Sequence, residues 1–307
     1  MLWIAFAIAA YFLNAVTAVG DKFLLAKKLP SAAAYAFYTG VLGALVIFIA
    51  PWGLAWPGYP VFFIALISGI MFFGGMLAFF SVIRQGEVSR FVLLIDGLTP
   101  VFIFGSSYFL LAERLPAQSL YAFAALVLGG LLISYDPAVW TDDALANGNR
   151  RRWIEGFWVA VLAALLFAAS FTTLKYVFDN QSFISGFIWA RLGSLIGALL
   201  LLLSASVRRE IFAAAGGFFS LRVGGLFLTN KVLAGAALVF IDYAIYLGSV
   251  TMVNAMQGVK YIFLLFLVLV LSRRYPHILE ERFSGIDLAQ KILATILIAT
   301  GFIILTR

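Results

Sequence analysis

Apolar runs of about spanning length alternate with short polar punctuation along this sequence. A helix needs roughly 20 apolar residues to cross a bilayer. Runs of that kind predict helices at 2–25, 32–51, 59–83, 88–111, 117–134, 154–178, 183–206, 232–247, 251–272 and 288–305. The shortest, 232–247, carries Asp242 inside it. Lys27-Lys28-Leu29-Pro30, residues 53–60, Arg84-Gln85-Gly86-Glu87 and Glu113-Arg114-Leu115-Pro116 read as tight connections. Short connections make successive helices antiparallel neighbours. Three connections are longer. Residues 135–153 are polar and end in Arg150-Arg151-Arg152. Residues 207–231 mix Phe212, Phe218 and Phe219 with glycines and arginines, which predicts an interfacial segment. Residues 273–291 are mixed in charge.

The polar connection near mid-chain divides five predicted helices from five. The two halves share weak internal similarity in matching order. Lys22-Phe23 recurs as Lys175-Tyr176, Gly40 as Gly193, and Tyr38 stands where Arg191 stands in the second half. Gly86-Glu87-Val88-Ser89 recurs as Gly248-Ser249-Val250-Thr251, and residues 128–133 recur loosely as 299–304. An odd number of helices per half inserts the second half upside down. The expected fold class is therefore an all-α integral membrane protein of ten transmembrane helices, arranged as two inverted five-helix repeats. Residues 1–135 form the first repeat, 136–153 the linker and 154–307 the second repeat.

Composition agrees with a lipid-solvated chain: 64% of the residues are hydrophobic and 11% charged, against about 25% charged in soluble domains. The start, Met1-Leu2-Trp3-Ile4, has no basic region, so the first run is expected to stay as a helix. There is no cysteine, and His277 is the one histidine. That removes thiolate chemistry and leaves almost no room for zinc or a histidine-based triad. The net charge of +7 fits basic loops beside a membrane and gives no reason to expect nucleic acid as a partner. Loops after the odd-numbered helices hold Lys27, Lys28, Arg84, Arg90, Arg150, Arg151, Arg152, Arg208, Arg209, Arg222, Lys231, Arg273, Arg274, Arg282 and Lys291. The opposite side holds Arg114 and Arg307. The positive-inside rule then puts the odd-numbered loops in the cytoplasm and both termini outside, in a plasma (inner) membrane.

The stretch Gly86-Glu87-Val88-Ser89-Arg90, Leu98-Thr99-Pro100, Leu111-Ala112-Glu113-Arg114-Leu115 and Leu128-Gly129-Gly130 resembles the drug/metabolite transporter superfamily, in particular EamA-like permeases. Ala112 stands where glycine is usual in that pattern. The second half lacks the proline and reads Val253-Asn254-Ala255-Met256-Gln257-Gly258-Val259-Lys260-Tyr261. The resemblance implies a ten-helix fold and metabolite transport. It supplies no substrate, because the family spans amino acids, sugars, nucleotides and drugs.

Ionisable residues inside spans are costly and usually face the bundle interior. Lys22, Lys175, Arg191 and Lys260 are the basic ones, and Asp21, Asp96 and Asp242 the acidic ones. Asp96 lies one turn before Pro100, which lacks an N–H and so frees a backbone carbonyl. Thr251, Asn254, Gln257 and Tyr261 fall on one stripe of the ninth helix, with Lys260 about 60° from Gln257 on the wheel. Tyr11, Asn14, Thr17 and Asp21 form a similar stripe in the first helix. Lys22 sits about 100° from Asp21. Lys22, Lys175 and Arg191 have an alternative role, snorkelling from helix ends to the headgroups. The aspartates have one too, pairing or capping inside the bundle. The substrate-cavity candidates are Asn14, Asp21, Lys22, Tyr38, Asp96, Lys175, Arg191, Asp242, Asn254, Gln257, Lys260 and Tyr261.

No Walker motif is present, so ATP does not power the chain directly. The expected function is secondary transport of a small polar metabolite, for instance an amino acid, by alternating access. A cavity with both charge signs and tyrosines suits a zwitterion. The alternative is a lipid or lipid-linked sugar flippase. An intramembrane enzyme would need a nucleophile with its base, or a metal, and no such motif is visible. No catalytic residue, metal or cofactor is expected. The expected partners are the solute and membrane lipid, and the chain is expected to be a monomer or homodimer.

Overall fold

The computed structural model describes residues 2–27, 31–84, 88–135, 150–218, 221–272 and 285–306, and no strand occurs among them. The helices are α1 (Leu2–Lys27), α2 (Ala32–Gly43), α3 (Tyr59–Arg84), α4 (Val88–Leu110), α5 (Ala117–Ser134) and α6 (Arg150–Asn180). They continue as α7 (Phe183–Leu200), α8 (Ala205–Phe218), α9 (Leu221–Leu247), α10 (Val250–Ala255), α11 (Gly258–Ser272) and α12 (Gly285–Thr306). Among the described residues, nine helical stretches are long and apolar enough to cross a membrane, and Ala117–Ile133 is a shorter apolar helix. Phe109, Leu203 and Phe48 are 82%, 79% and 72% exposed. Large apolar side chains facing outward in such number need lipid as their solvent.

Helix starts follow local chemistry. Ser31, Ser182 and Ser249 each accept from a backbone N–H three residues on, at Ala34, Ser185 and Met252. These side chains satisfy donors that the first helical turn leaves free. α2 tightens into a 3₁₀ stretch over Ala44–Trp52, which contains Pro51 and is capped by Gly53.

Three sequence expectations are corrected. The helix expected at 232–247 begins at Leu221, so Asn230 and Lys231 lie inside it and not in a loop. Both are buried and bonded to Asp21, which is why polar residues do not end the helix. Of the expected interfacial segment, only the part in α8 stays outside the span. There Ile211 and Ala214 are buried while Arg208 and Arg209 are exposed, an amphipathic pattern. The helix expected at 251–272 is broken at Met256-Gln257, between α10 and α11. The expectations at 136–149 and 273–284 lie outside the described residues.

α3 packs along both α6 and α7, α4 along α6, α1 along α9, and α5 along α12. The α3–α7 seam is a backbone contact. A Cβ built at Gly69 falls 1.8 Å from the Ala190 carbonyl oxygen, and one at Gly193 falls 2.2 Å from that of Leu66. Only glycine permits this approach, as small residues do in membrane helix packing. At the α10–α11 break the first residue of α11, Gly258, rests on α5. A Cβ there would lie 2.8 Å from Gly130 Cα.

Candidate functional site

The break between α10 and α11 is where the site is built. Gln257 N–H donates to Asn254 O at 3.1 Å, and Lys260 N–H donates to Gln257 O at 3.1 Å. These tight turns leave the Val253 carbonyl without the donor that a continuous helix would supply. Tyr11 of α1 supplies one instead: its hydroxyl donates to Val253 O at 2.8 Å. Tyr11 is itself 2% exposed, so α1 seals the break from within the bundle.

The residues after the break converge on Asp96 of α4. Gln257 Nε2 donates to Oδ1 at 2.6 Å, and the Tyr261 hydroxyl donates to Oδ2 at 2.6 Å. Lys260 Nζ pairs with the same Oδ2. Asp96 lies about 12 Å along α4, and Lys260 about 15 Å from the start of α10, at 1.5 Å per residue. The pair therefore sits near mid-bundle. Pro100 removes the N–H that would bond the Asp96 backbone carbonyl at this turn of the helix. A narrow cleft lined by Asp96, Gly97, Pro100, Gly130, Gln257 and Tyr261 runs beside it, with about 10 Å³ of water-sized space, room for about one water.

A second pair joins α7 to α9. Arg191 and Asp242 are 4% and 0% exposed, and Arg191 Nη2 lies 3.5 Å from Asp242 Oδ2. The guanidinium is 4.5 Å above the ring of Phe72 and 5.4 Å from that of Phe187. Arg191 therefore does not snorkel; it is held inside the bundle.

A third cluster joins α1, α2 and α9. Asp21 Oδ1 accepts from the Tyr35 hydroxyl at 2.5 Å, from Asn230 Nδ2 at 2.7 Å and from Lys231 Nζ at 2.8 Å. The Lys231 ammonium also lies 4.4 Å from the Tyr35 ring and 5.0 Å from the Phe80 ring. Its burial takes Lys231 out of the loop cations used for orientation. Gly20 gives Asn230 its place, since a Cβ there would meet Asn230 Oδ1 at 2.2 Å.

The remaining predicted residues are more scattered. Asn14 is half-buried, one turn beyond Tyr11 on the same face of α1. Asn254 is buried but turns back on its own helix, donating to Val250 O at 2.9 Å. Tyr38 donates to Ile211 O of α8 at 3.3 Å. Lys175 pairs with Asp179 at 3.0 Å near the end of α6. The side chain of Lys22 lies outside the described residues. Thr251, grouped by its stripe with Gln257, bonds instead to Glu113 at 2.7 Å and to Ser107 at 2.7 Å.

Tyr35, Asn230 and Lys231 were missed by the sequence reading. A signal for the last two exists: an amide and an amine in tandem, followed at once by an apolar run. No group of three or more histidine, aspartate or glutamate residues placed to hold a metal occurs among the described residues.

No protein-family model matches this chain, and no curated protein matches it. Among solved structures, 23 chains match. One of them, described only as the crystal structure of a protein, aligns with a TM-score of 0.65 and 16% identity over 98% of this chain and 96% of that one. That likeness is one of fold, and it extends over nearly the whole chain.

Proposed function

We propose that this chain is a secondary transporter of the drug/metabolite transporter type, carrying a small polar metabolite by alternating access. The observation that carries the reading is the Asp96–Lys260 pair, buried at mid-bundle and braced by Gln257 and Tyr261 beside a broken helix. Intramembrane charge marks solute or ion pathways by default. Broken helices near mid-membrane are the usual places where transporters expose polar backbone to a solute.

In this reading the fold is ten transmembrane helices in two inverted repeats, residues 1–135 and 154–307, with the odd-numbered loops cytoplasmic. The register of the two irregular helices supports it. With one residue fewer between Thr251 and Gln257 than between Ser89 and Asp96, Asp96-Gly97-Leu98-Thr99-Pro100-Val101-Phe102 aligns with Gln257-Gly258-Val259-Lys260-Tyr261-Ile262-Phe263. Asp96 and Gln257 thus hold equivalent positions, and they touch each other at 2.6 Å. Equivalent residues meet only near the axis that relates two repeats.

The test is transport by the purified chain in liposomes. Vesicles are loaded with a mixture of amino acids, sugars, sugar phosphates, nucleotides and organic cations, and the effluxed solutes are identified by mass. The proposal expects one solute class to leave faster than from loaded, protein-free liposomes, and Lys260→Ala to stop it. Efflux equal to that of protein-free liposomes for every class, with lipid scrambling detected instead, would overturn it in favour of a flippase.

A further inference from the structure

Arg191 and Asp242 are joined by one long contact, and each keeps a polar atom with no partner: Arg191 Nε and Asp242 Oδ1. Both side chains are almost wholly buried, so neither atom is satisfied by bulk water. A buried donor and a buried acceptor left unmet destabilise a fold, and native proteins rarely keep them without a use. What is missing is one acceptor for the arginine and one donor for the aspartate, on two side chains already in contact.

A free α-amino acid offers that combination. Its carboxylate accepts from a guanidinium and its ammonium donates to a carboxylate, with both groups carried by one carbon. Charge balance points the same way. The pair is neutral, and a zwitterion leaves it neutral, whereas an anion or a cation alone would add an uncompensated charge in a buried place.

The surroundings select the side chain. Arg191 lies against Phe72 and Phe187. Phe72 contacts Phe171 at 6.1 Å, Phe187 stacks on Phe183 at 5.5 Å, and Phe183 meets Tyr243 at 5.0 Å between ring centres. A ligand held at the pair therefore lies among rings. The way in is equally local. Phe72, which covers Arg191, is one turn from Gly69, and Gly69 meets Ala190 and Gly193 backbone to backbone. Parting of α3 from α7 along this seam would carry Phe72 off the arginine.

We propose that Arg191 and Asp242 form a zwitterion site that takes an α-amino acid with an aromatic or large apolar side chain. The assignment rests on the transporter reading above for the opening of the α3–α7 seam. A trapped water could bond both free atoms, but it would confer no ligand selectivity.

The experiment is calorimetric titration of the detergent-purified chain with L-phenylalanine and L-leucine. L-phenylalaninamide, which lacks the carboxylate, and N-acetyl-L-phenylalanine, which lacks the ammonium, are the comparison ligands. The site predicts saturable binding of the amino acids and about 10- to 100-fold weaker binding of both analogues, the loss of one charged hydrogen bond. Arg191→Lys and Asp242→Asn should weaken the amino acid similarly, and the analogue series on the unaltered chain decides the matter if those variants do not fold. No saturable binding of either amino acid, or equal binding of either analogue, overturns the site. If amino acids fail to bind while another solute crosses liposomes, the zwitterion site falls and transport stands. If they bind while no solute crosses, the site stands and the transporter reading falls.

Discussion

Breaking the Asp96–Lys260 pair one residue at a time, and then both at once, separates charge pairing from simple packing. Lys260→Met leaves a buried carboxylate that keeps its Gln257 and Tyr261 donors. Asp96→Asn leaves a buried ammonium without its carboxylate, with the Tyr261 ring 4.9 Å away. Removing one partner of a buried pair costs about 3–5 kcal/mol. The first variant belongs at the low end of that range, because two donors still hold the carboxylate. The second belongs at the high end. The double variant carries neither charge. Its asparagine oxygen still accepts from Gln257 and its amide donates to the Tyr261 oxygen, so its stability should fall within about 1–2 kcal/mol of the parent. Equilibrium unfolding in mixed micelles measures all four proteins. The reasoning is refuted if the double variant loses the sum of the two single losses, for then the charges do not depend on each other.

Three further changes test separate parts of the fold by thermal unfolding. Tyr11→Phe strands the Val253 carbonyl at the helix break and should cost about 1–3 kcal/mol; an unchanged melting temperature would mean the carbonyl has another donor. Ala112 is held at φ 52°, a left-handed conformation that glycine adopts freely, so Ala112→Gly should stabilise by about 0.5–1 kcal/mol, and a lowered melting temperature would contradict it. Gly69→Ala drives a methyl into the Ala190 carbonyl and should destabilise by about 1–3 kcal/mol, with normal stability showing that the seam is looser than described.

Much of the helical plan was legible because each span is a long apolar run and nothing else in the chain competes with that signal. The start of α9 was not, since a run containing Arg222, Thr229, Asn230 and Lys231 reads as a loop until Asp21, two hundred residues away, is known to bond it. The break at Met256-Gln257 was equally hidden. No proline marks it, and it is held by Tyr11 and by the approach of Gly258 to Gly130, both long-range contacts. Asp96, Gln257, Lys260 and Tyr261 were identifiable as costly polar groups in an apolar helix, and periodicity put three of them on or beside one stripe. Periodicity misled for Thr251 and Asn254, because the break changes the helical phase between them and Gln257. The departure at Ala112 was visible in sequence, whereas its left-handed backbone was visible only in three dimensions.

The chain has no cysteine, so one introduced thiol reports on one place. Asn14→Cys puts that thiol on the inner face of α1, one turn from Tyr11. Labelling by a membrane-impermeant maleimide, added to one face of the membrane at a time, tests alternating access directly. The account predicts reaction from both faces, slowed from each by the transported solute. Reaction from one face only, or from neither, would contradict it.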